Sequence, residues 1–178
     1  MFFRKHIFVT IAVCLGLGYL LGAFLQPRFQ NRRIHSLAFN LKDTGLLSDS
    51  LCDFMTGQRI NLIDTLAKKD RNLLVFWSPT CSFSKDFFLH QLNEQVVGIY
   101  CFPLASDLEY LKFYVQRHNI KLPQLMVQKA DIFVPIEASS IVATPTFVIL
   151  DDKGERLAQY VGANKIEEMI TFLYQGIQ

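Results

Sequence analysis

The sequence holds no Cys-x-x-Cys pair, no cluster of lysines and arginines, no internal repeat and no low-complexity segment. Each absence removes a class of function. Without a repeat of 20–50 residues, solenoid and propeller architectures are excluded. Eighteen basic against sixteen acidic residues leave a net charge of +2. That charge is scattered, and no run of the kind that tracks phosphates stands out, so nucleic-acid binding is set aside. Cysteines occur at 14, 52, 81 and 101, too few and too irregular for a disulfide scaffold or a paired zinc motif. Since Cys14 falls in the apolar N-terminal run, three remain for the folded part, and at least one of these is unpaired within the chain. His6, His35, His90 and His118 have no ligand spacing with the cysteines, so no metal site and no cofactor are expected. What remains is one globular domain of roughly 140 residues behind a membrane segment, enough to bury about two-thirds of its unfolded surface.

That segment runs from Ile7 to Leu25 without a charge. At ~1.5 Å per residue a helix of this length covers nearly the ~30 Å hydrocarbon core. We read residues 7–25 as a single-pass signal anchor behind a short tail (1–6). A cleaved signal peptide is the alternative, but bulky Leu21 falls two positions before Ala23, the best small cleavage residue, where a second small side chain is wanted. Orientation is poorly marked, because Arg4 and Lys5 precede the run while Arg28, Arg32 and Arg33 follow it. Gly18 and Gly22 form a small-xxx-small pair that more often arises by chance than as a helix-pairing face.

Residues 26–45 read as a tether and 46–178 as the folded domain. Between Ile34 and Leu62, apolar residues alternate with turn residues, Thr44-Gly45 and Thr56-Gly57 among them, predicting short strands or a hairpin. Asn61 followed by Asp64 predicts a helix from Leu62 to about Lys68. Leu73 to Trp77 is a continuous apolar run, the pattern of a strand buried on both faces. Phe83, Phe87, Phe88 and Leu92 lie at helical spacing between Cys81 and Gln95 and are expected in the core. A second buried strand spans Val96 to Leu104, and Ser106-Asp107-Leu108-Glu109 is a capping box opening a helix to about His118. Leu125 to Gln128 suits a short strand, and Ala130 to Ser140 a helical or irregular stretch. Phe147–Leu150 and Arg156–Val161, joined by Asp151-Asp152-Lys153-Gly154, predict a hairpin, and Asn164-Lys165-Ile166-Glu167 a last capping box and helix to about Tyr174. Alternating strands and helices of this kind imply an α/β fold, a central mixed sheet flanked by helices.

The chemistry gathers at Phe76-Trp77-Ser78-Pro79-Thr80-Cys81-Ser82-Phe83-Ser84-Lys85, an apolar strand leading to one cysteine at a helix start. Free N–H groups and the helix dipole there favour thiolate over thiol, and Lys85 one turn later would add to this. A thiolate attacks a disulfide sulfur and forms a mixed disulfide. Ser84 occupies the position from which a second cysteine would release the substrate, and a hydroxyl is too basic to act as that thiolate.

This stretch resembles the F-W-x-x-x-C-x-x-C-K/R signature of thioredoxin-fold proteins. Ala143-Thr144-Pro145-Thr146 resembles that family's cis-proline loop, and Phe147 to Gly154 the hairpin strand after it. Asp53-Phe54-Met55-Thr56-Gly57-Gln58-Arg59-Ile60-Asn61-Leu62 is similar to the N-terminal hairpin of the membrane-anchored TlpA/ResA-like branch. The likeness covers roughly residues 50 to 174. It implies a thioredoxin-like fold, Cys81 as nucleophile with Ser84 and Pro145 beside it, and Trp77, Thr144 and Pro145 as the substrate-binding residues, the Thr144 backbone pairing with an extended peptide. It also implies a departure. Ser84 replaces the resolving cysteine, and Val75 stands where many thioredoxins bury an acid that serves the same release step. Cys101 is expected to be a small core hydrophobe, and Cys52 carries a weaker expectation of a resolving or structural role.

Two functions follow from these expectations. One is extracytoplasmic thiol-disulfide exchange by a single active cysteine at the bacterial inner membrane, with protein thiols or disulfides as partners and an external thiol completing the cycle. The other is a redox-inactive binding or assembly module that uses the cis-proline face. Cys81-Ser82-Phe83-Ser84 also resembles the C-G-F-S loop of monothiol glutaredoxins, which hold an iron–sulfur cluster with glutathione. Phe76-Trp77, the long insertion before Pro145, the anchor and Ser82 in place of glycine argue against that reading.

Overall fold

The structure, a computed structural model, describes residues 50–129, 132–134, 141 and 143–177. The expected anchor and tether, Cys14, His6, His35 and most of the stretch from 130 to 140 lie outside the described residues. Among the described residues, no helix is long and apolar enough to cross a membrane.

In chain order the elements are β1 (Leu51–Asp53), β2 (Arg59–Ile60), α1 (Leu62–Leu66), β3 (Asn72–Trp77), α2 (Ser82–Phe87), β4 (Gly98–Pro103), α3 (Leu108–Arg117), β5 (Leu125–Lys129), β6 (Ile132–Val134), β7 (Thr146–Leu150), β8 (Arg156–Val161), a 3-10 turn (Ala163–Lys165) and α4 (Ile166–Tyr174). The strands run β2-β1-β5-β6 and β4-β3-β7-β8. A parallel bridge between Cys101 and Gln124 joins the two sets. Among the described residues only β3 and β4 pair in parallel as strands, with Asn72 opposite Gly98 and Trp77 opposite Pro103; β7 pairs antiparallel on the other side of β3. The fold is thioredoxin-like, a mixed sheet covered by helices on both faces.

The two-residue period of β3 sorts its side chains between two cores. Leu73, Val75 and Trp77 pack with Phe87, Leu111, Tyr114, Met169 and Leu173 under α2, α3 and α4. Leu74 and Phe76 face the other way, with Leu62 and Leu66 of α1 and with Tyr100, Phe102 and Val148. All six β3 residues are buried, which is why the strand reads as an unbroken apolar run. Its only polar member, Asn72, donates to the Leu66, Lys69 and Asp151 carbonyls at 3.0, 3.0 and 3.3 Å, tying the end of α1 and the β7–β8 turn to the start of the strand. Opposite it stands Gly98, where an added Cβ would lie 2.2 Å from Asn72 Oδ1 and 2.8 Å from the Tyr100 hydroxyl. Arg71 donates to the Phe172 carbonyl and lies over its ring, closing α4 onto the same end of the sheet.

Several local features differ from the sequence pattern. The helix expected from Cys81 to Gln95 ends at Phe87, with Phe88 as its C-cap; the chain then turns, and Tyr174 Oη binds the Asn93 N–H at 2.7 Å. Phe87 is buried but Phe83 is 59% exposed, because a six-residue helix presents only one short stripe to the core. The capping serine expected at Ser106 yields to its neighbour, with Asp107 accepting from the Tyr110 N–H at 2.9 Å. Lys165, not Asn164, is the N-cap of α4 and makes no side-chain capping bond to a backbone N–H, since a 3-10 turn leads into the helix. Within the stretch read as helical or irregular, β6 pairs with β5. Asn61 does cap α1, accepting from the Asp64 N–H at 3.4 Å.

Candidate functional site

Interior strand β3 carries the chain to one end of the sheet, and a short turn there presents the cysteine. The Leu104 N–H donates to the Trp77 carbonyl at 2.8 Å, closing the ladder, and the Cys81 N–H donates to the Ser78 carbonyl at 3.1 Å. Inside the turn the Ser78 and Thr80 hydroxyls bond at 2.8 Å over buried Pro79. Cys81 has extended backbone (φ −91°, ψ 111°) and occupies the N-cap of α2. Side chains at that position face the first-turn N–H groups; here the Ser84 N–H donates to the Cys81 carbonyl at 3.1 Å and the Cys81 side chain makes no capping bond.

From 63 residues away the loop before β7 meets this cysteine. The part-buried Cys81 thiol donates to the Thr144 carbonyl at 3.2 Å, and the Thr144–Pro145 peptide bond is cis. Pro145 is buried and its carbonyl accepts from the Gly162 N–H at 2.9 Å, while the Thr146 hydroxyl donates to the Ala143 carbonyl at 2.6 Å. Cys81, Ser84, Thr144 and Pro145 thus converge from two distant segments.

Burial by itself pushes the Cys81 thiol up, but hydrogen bonds to the sulfur outweigh it and bring the thiol below its ordinary value: first the Thr144 side chain, then the Ser84 side chain and the Ser84 and Phe83 backbone. The bond to the Thr144 carbonyl belongs to the protonated state, because a thiolate has no proton to donate; the donors around the sulfur favour the charged form. Lys85, expected to add its charge, is exposed and is not among these groups. With only six residues in α2, individual N–H groups matter more than a helix dipole.

The model of the thioredoxin-like domain matches residues 59–177. The chain belongs to the thioredoxin-like family. Solved structures share the fold: a thiol:disulfide interchange protein from Bacteroides sp. is 21% identical, with 72% of this chain and 87% of that one covered at a TM-score of 0.53. A thiol-disulfide isomerase from Corynebacterium glutamicum is 15% identical over 76% of this chain and 99% of that one, also at 0.53. The MTB protein dsbF, solved in mixed oxidized and reduced forms, is 14% identical over 72% and 95%, at 0.54. No curated protein matches the sequence.

In this thioredoxin-like chain Trp77, expected among the substrate-binding residues, is turned into the core. It is fully buried, edge-on to Phe88 at 5.1 Å and tilted against Tyr114 at 5.4 Å, since strand alternation turns it inward. Its indole N–H donates to Gln124 Oε1 at 3.0 Å, and Gln124 Nε2 donates to the Leu122 carbonyl at 3.0 Å. Val75 is wholly buried in the same apolar cluster. Cys52, Cys81 and Cys101 are all free thiols. Cys101 is completely buried in the core, and burial drives its thiol far up. Cys52 lies on β1, which pairs with β5, and Cys101 on β4, bridged to the residue before β5. An intervening strand sets their backbones about 10 Å apart, beyond disulfide reach. Nor is Cys52 a ready nucleophile, since burial and then the Asp53 charge push it up. His90 lies 3.8 Å from Glu167 on α4, a surface pairing rather than a base for Cys81. Among the described residues no cluster of three potential metal ligands occurs.

Ser78, Tyr114 and Gln124 were not singled out in the sequence. Burial first, then Tyr110 and then Cys81, raise the Tyr114 phenol above its ordinary value. A glutamine inside Pro123-Gln124-Leu125-Met126-Val127 is the one signal that was available: a polar side chain in an apolar run requires a buried partner.

Proposed function

We propose that this chain carries out thiol-disulfide exchange through a single cysteine, anchored by residues 7–25 with its domain outside the bacterial cytoplasmic membrane. The observation that supports the reading most is a part-buried Cys81 at the N-cap of α2, its sulfur 3.2 Å from the Thr144 carbonyl of the cis-proline loop and its thiol held below its ordinary value, beside buried Ser84 where a resolving thiol would stand. The Cys81 thiolate attacks one sulfur of a protein disulfide; the substrate S–S bond breaks, a Cys81–substrate disulfide forms and the other substrate sulfur leaves as thiolate. For isomerase action another thiolate of the substrate attacks the substrate sulfur of that bond and regenerates Cys81. For reductase action an external small thiol attacks the Cys81 sulfur, freeing the reduced substrate, and a second molecule of that thiol displaces the first as its disulfide. The exposed Ala143 and half-buried Thr144 offer backbone to an extended peptide beside the sulfur.

A second reading is a binding or assembly module using the same face without exchange. The replacement of both resolving-step groups, by buried Ser84 and buried Val75, favours it. Trapping separates the two: the full chain, alkylated after acid quench of cells, should carry Cys81-dependent mixed disulfides that vanish in Cys81→Ser. An unshifted Cys81 thiol and no such adducts would leave the binding reading. A tag on the C-terminus read out in the cytoplasm would overturn the assigned location.

A further inference from the structure

We propose that the outer face of α3 is the surface on which a second copy of this chain docks, the two helices pairing antiparallel about a two-fold axis at Phe113. The inference does not depend on the exchange reading above.

One ridge of α3 carries it. Glu109, Phe113 and Arg117 follow one another at four-residue steps, so they line up as a single ridge along the helix. Leu111, Tyr114 and Val115 already supply the core-facing side. Phe113, in the middle of the ridge, is 54% exposed, and Tyr110 beside it is 42% exposed. Arg117 lies over the Phe113 ring, its guanidinium carbon 5.8 Å from the centroid, and has no carboxylate partner among the described residues. Glu109 accepts from Lys112 at 3.1 Å through Oε1, which leaves its other oxygen without a partner among the described residues.

The ridge therefore runs acid, aromatic, base, with the aromatic at its centre. That order is its own complement. A two-fold axis through Phe113 reverses it, so Glu109 of each copy meets Arg117 of the other and the two phenylalanine rings meet between them. Parallel pairing would set like charges together instead. The helix dipole also favours an acid early and a base late, but it gives no reason for an exposed phenylalanine between them. Tyrosine, phenylalanine and arginine gathered on one exposed face are the residue types of interface centres. When ridges of this kind interdigitate at ~8–10 Å between axes, Phe113 of the second copy enters the groove between Phe113 and Tyr110. Ten residues of helix span about 15 Å, so the contact is small and the association weak and reversible.

Sedimentation equilibrium of the full chain in a density-matched detergent, with reductant present so that no thiol cross-links, tests this. The parent should dimerise reversibly. Glu109→Arg and Arg117→Glu each turn two attractive pairs into repulsive ones, so each should raise the dimer dissociation constant about tenfold or more. The double variant restores opposite charges across the axis and should return to within about threefold of the parent. An equimolar mixture of the two single variants should form a mixed dimer, because one copy then presents two arginines and the other two glutamates. Rescue of this kind separates docking from misfolding, which a second reversal on the same helix would not repair. A double variant as weak as the singles, or single variants that associate like the parent, as pairing through residues 7–25 alone would give, overturns the proposal. A parent that stays monomeric up to about 100 μM overturns it as well and leaves the face to a different protein.

Discussion

Gln124→Leu removes the acceptor of the buried indole N–H. Trp77 and Gln124 are both at 0% exposure and their bond is 3.0 Å long, so no water can replace the lost partner. An orphaned buried donor costs about 1–3 kcal/mol, and the added apolar surface of leucine offsets part of that. The expected net loss is about 1.5 kcal/mol. For a domain of this size it corresponds to a melting temperature lower by roughly 4–9 °C. Trp77→Phe also destabilises, through the volume it deletes among Phe88, Tyr114 and the β3 core. In the double variant the N–H is gone together with its acceptor, so the losses should fall short of their sum by about 1–2 kcal/mol. Urea unfolding of the four proteins, followed by far-ultraviolet circular dichroism, gives the cycle. Trp77 is the only tryptophan, so fluorescence of Gln124→Leu reports on this position alone. Strict additivity, or a Gln124→Leu chain as stable as the parent, would refute the view that this bond anchors the strand end before Cys81.

Gly98→Ala should destabilise by about 1–3 kcal/mol in the same unfolding assay, because its methyl would enter space held by Asn72 and Tyr100. Thr144→Val should raise the pH midpoint of Cys81 alkylation, since the Thr144 side chain is the first of the hydrogen-bonding groups that lower this thiol against the opposing effect of burial. Stability should fall on the alkaline side. Above about pH 8.5 the unfolded chain releases thiol protons that the folded chain retains, since burial pushes up Cys101 and, to a lesser degree, Cys52; the slope is at most about 1.4 kcal/mol per pH unit for each such group. Cys81 has the opposite sign: its lowered value contributes stability that is present above the unfolded value and lost as pH falls through the folded one. Cys101→Val, followed by thermal unfolding from pH 7 to 10, should flatten the alkaline decline, and an unchanged slope would show that Cys101 does not cause it.

Much of the fold was legible because its signals are local. An unbroken apolar run marks β3, the Asp151–Gly154 turn marks the β7–β8 hairpin, and Asn61 caps α1 as its spacing suggests. Less legible was anything chosen between near-equal neighbours. Ser106 and Asp107 are both good caps, and a shift of one residue in the helix start selects Asp107. Helical spacing from Phe83 to Leu92 was genuine as a pattern. It did not reveal that the chain leaves the helix at Phe88, whose ring packs edge-on against Trp77 and Phe87.

That Ser84 and Val75 stand where a resolving step would have its groups is what the family resemblance implies; by itself the sequence determined that one cysteine follows a buried strand at a helix start and that a Thr-Pro loop precedes the last hairpin. These follow from residue identity and from periods of two to four residues. Only the tertiary structure decided that the Thr144 carbonyl lies 3.2 Å from the Cys81 sulfur, that Trp77 points into the core against Gln124, that Cys52 and Cys101 are separated by a strand, and that Ser84 is held from behind by Ser78. Contacts across 47 or 63 residues depend on strand order and on which face each side chain meets, and no local period encodes either.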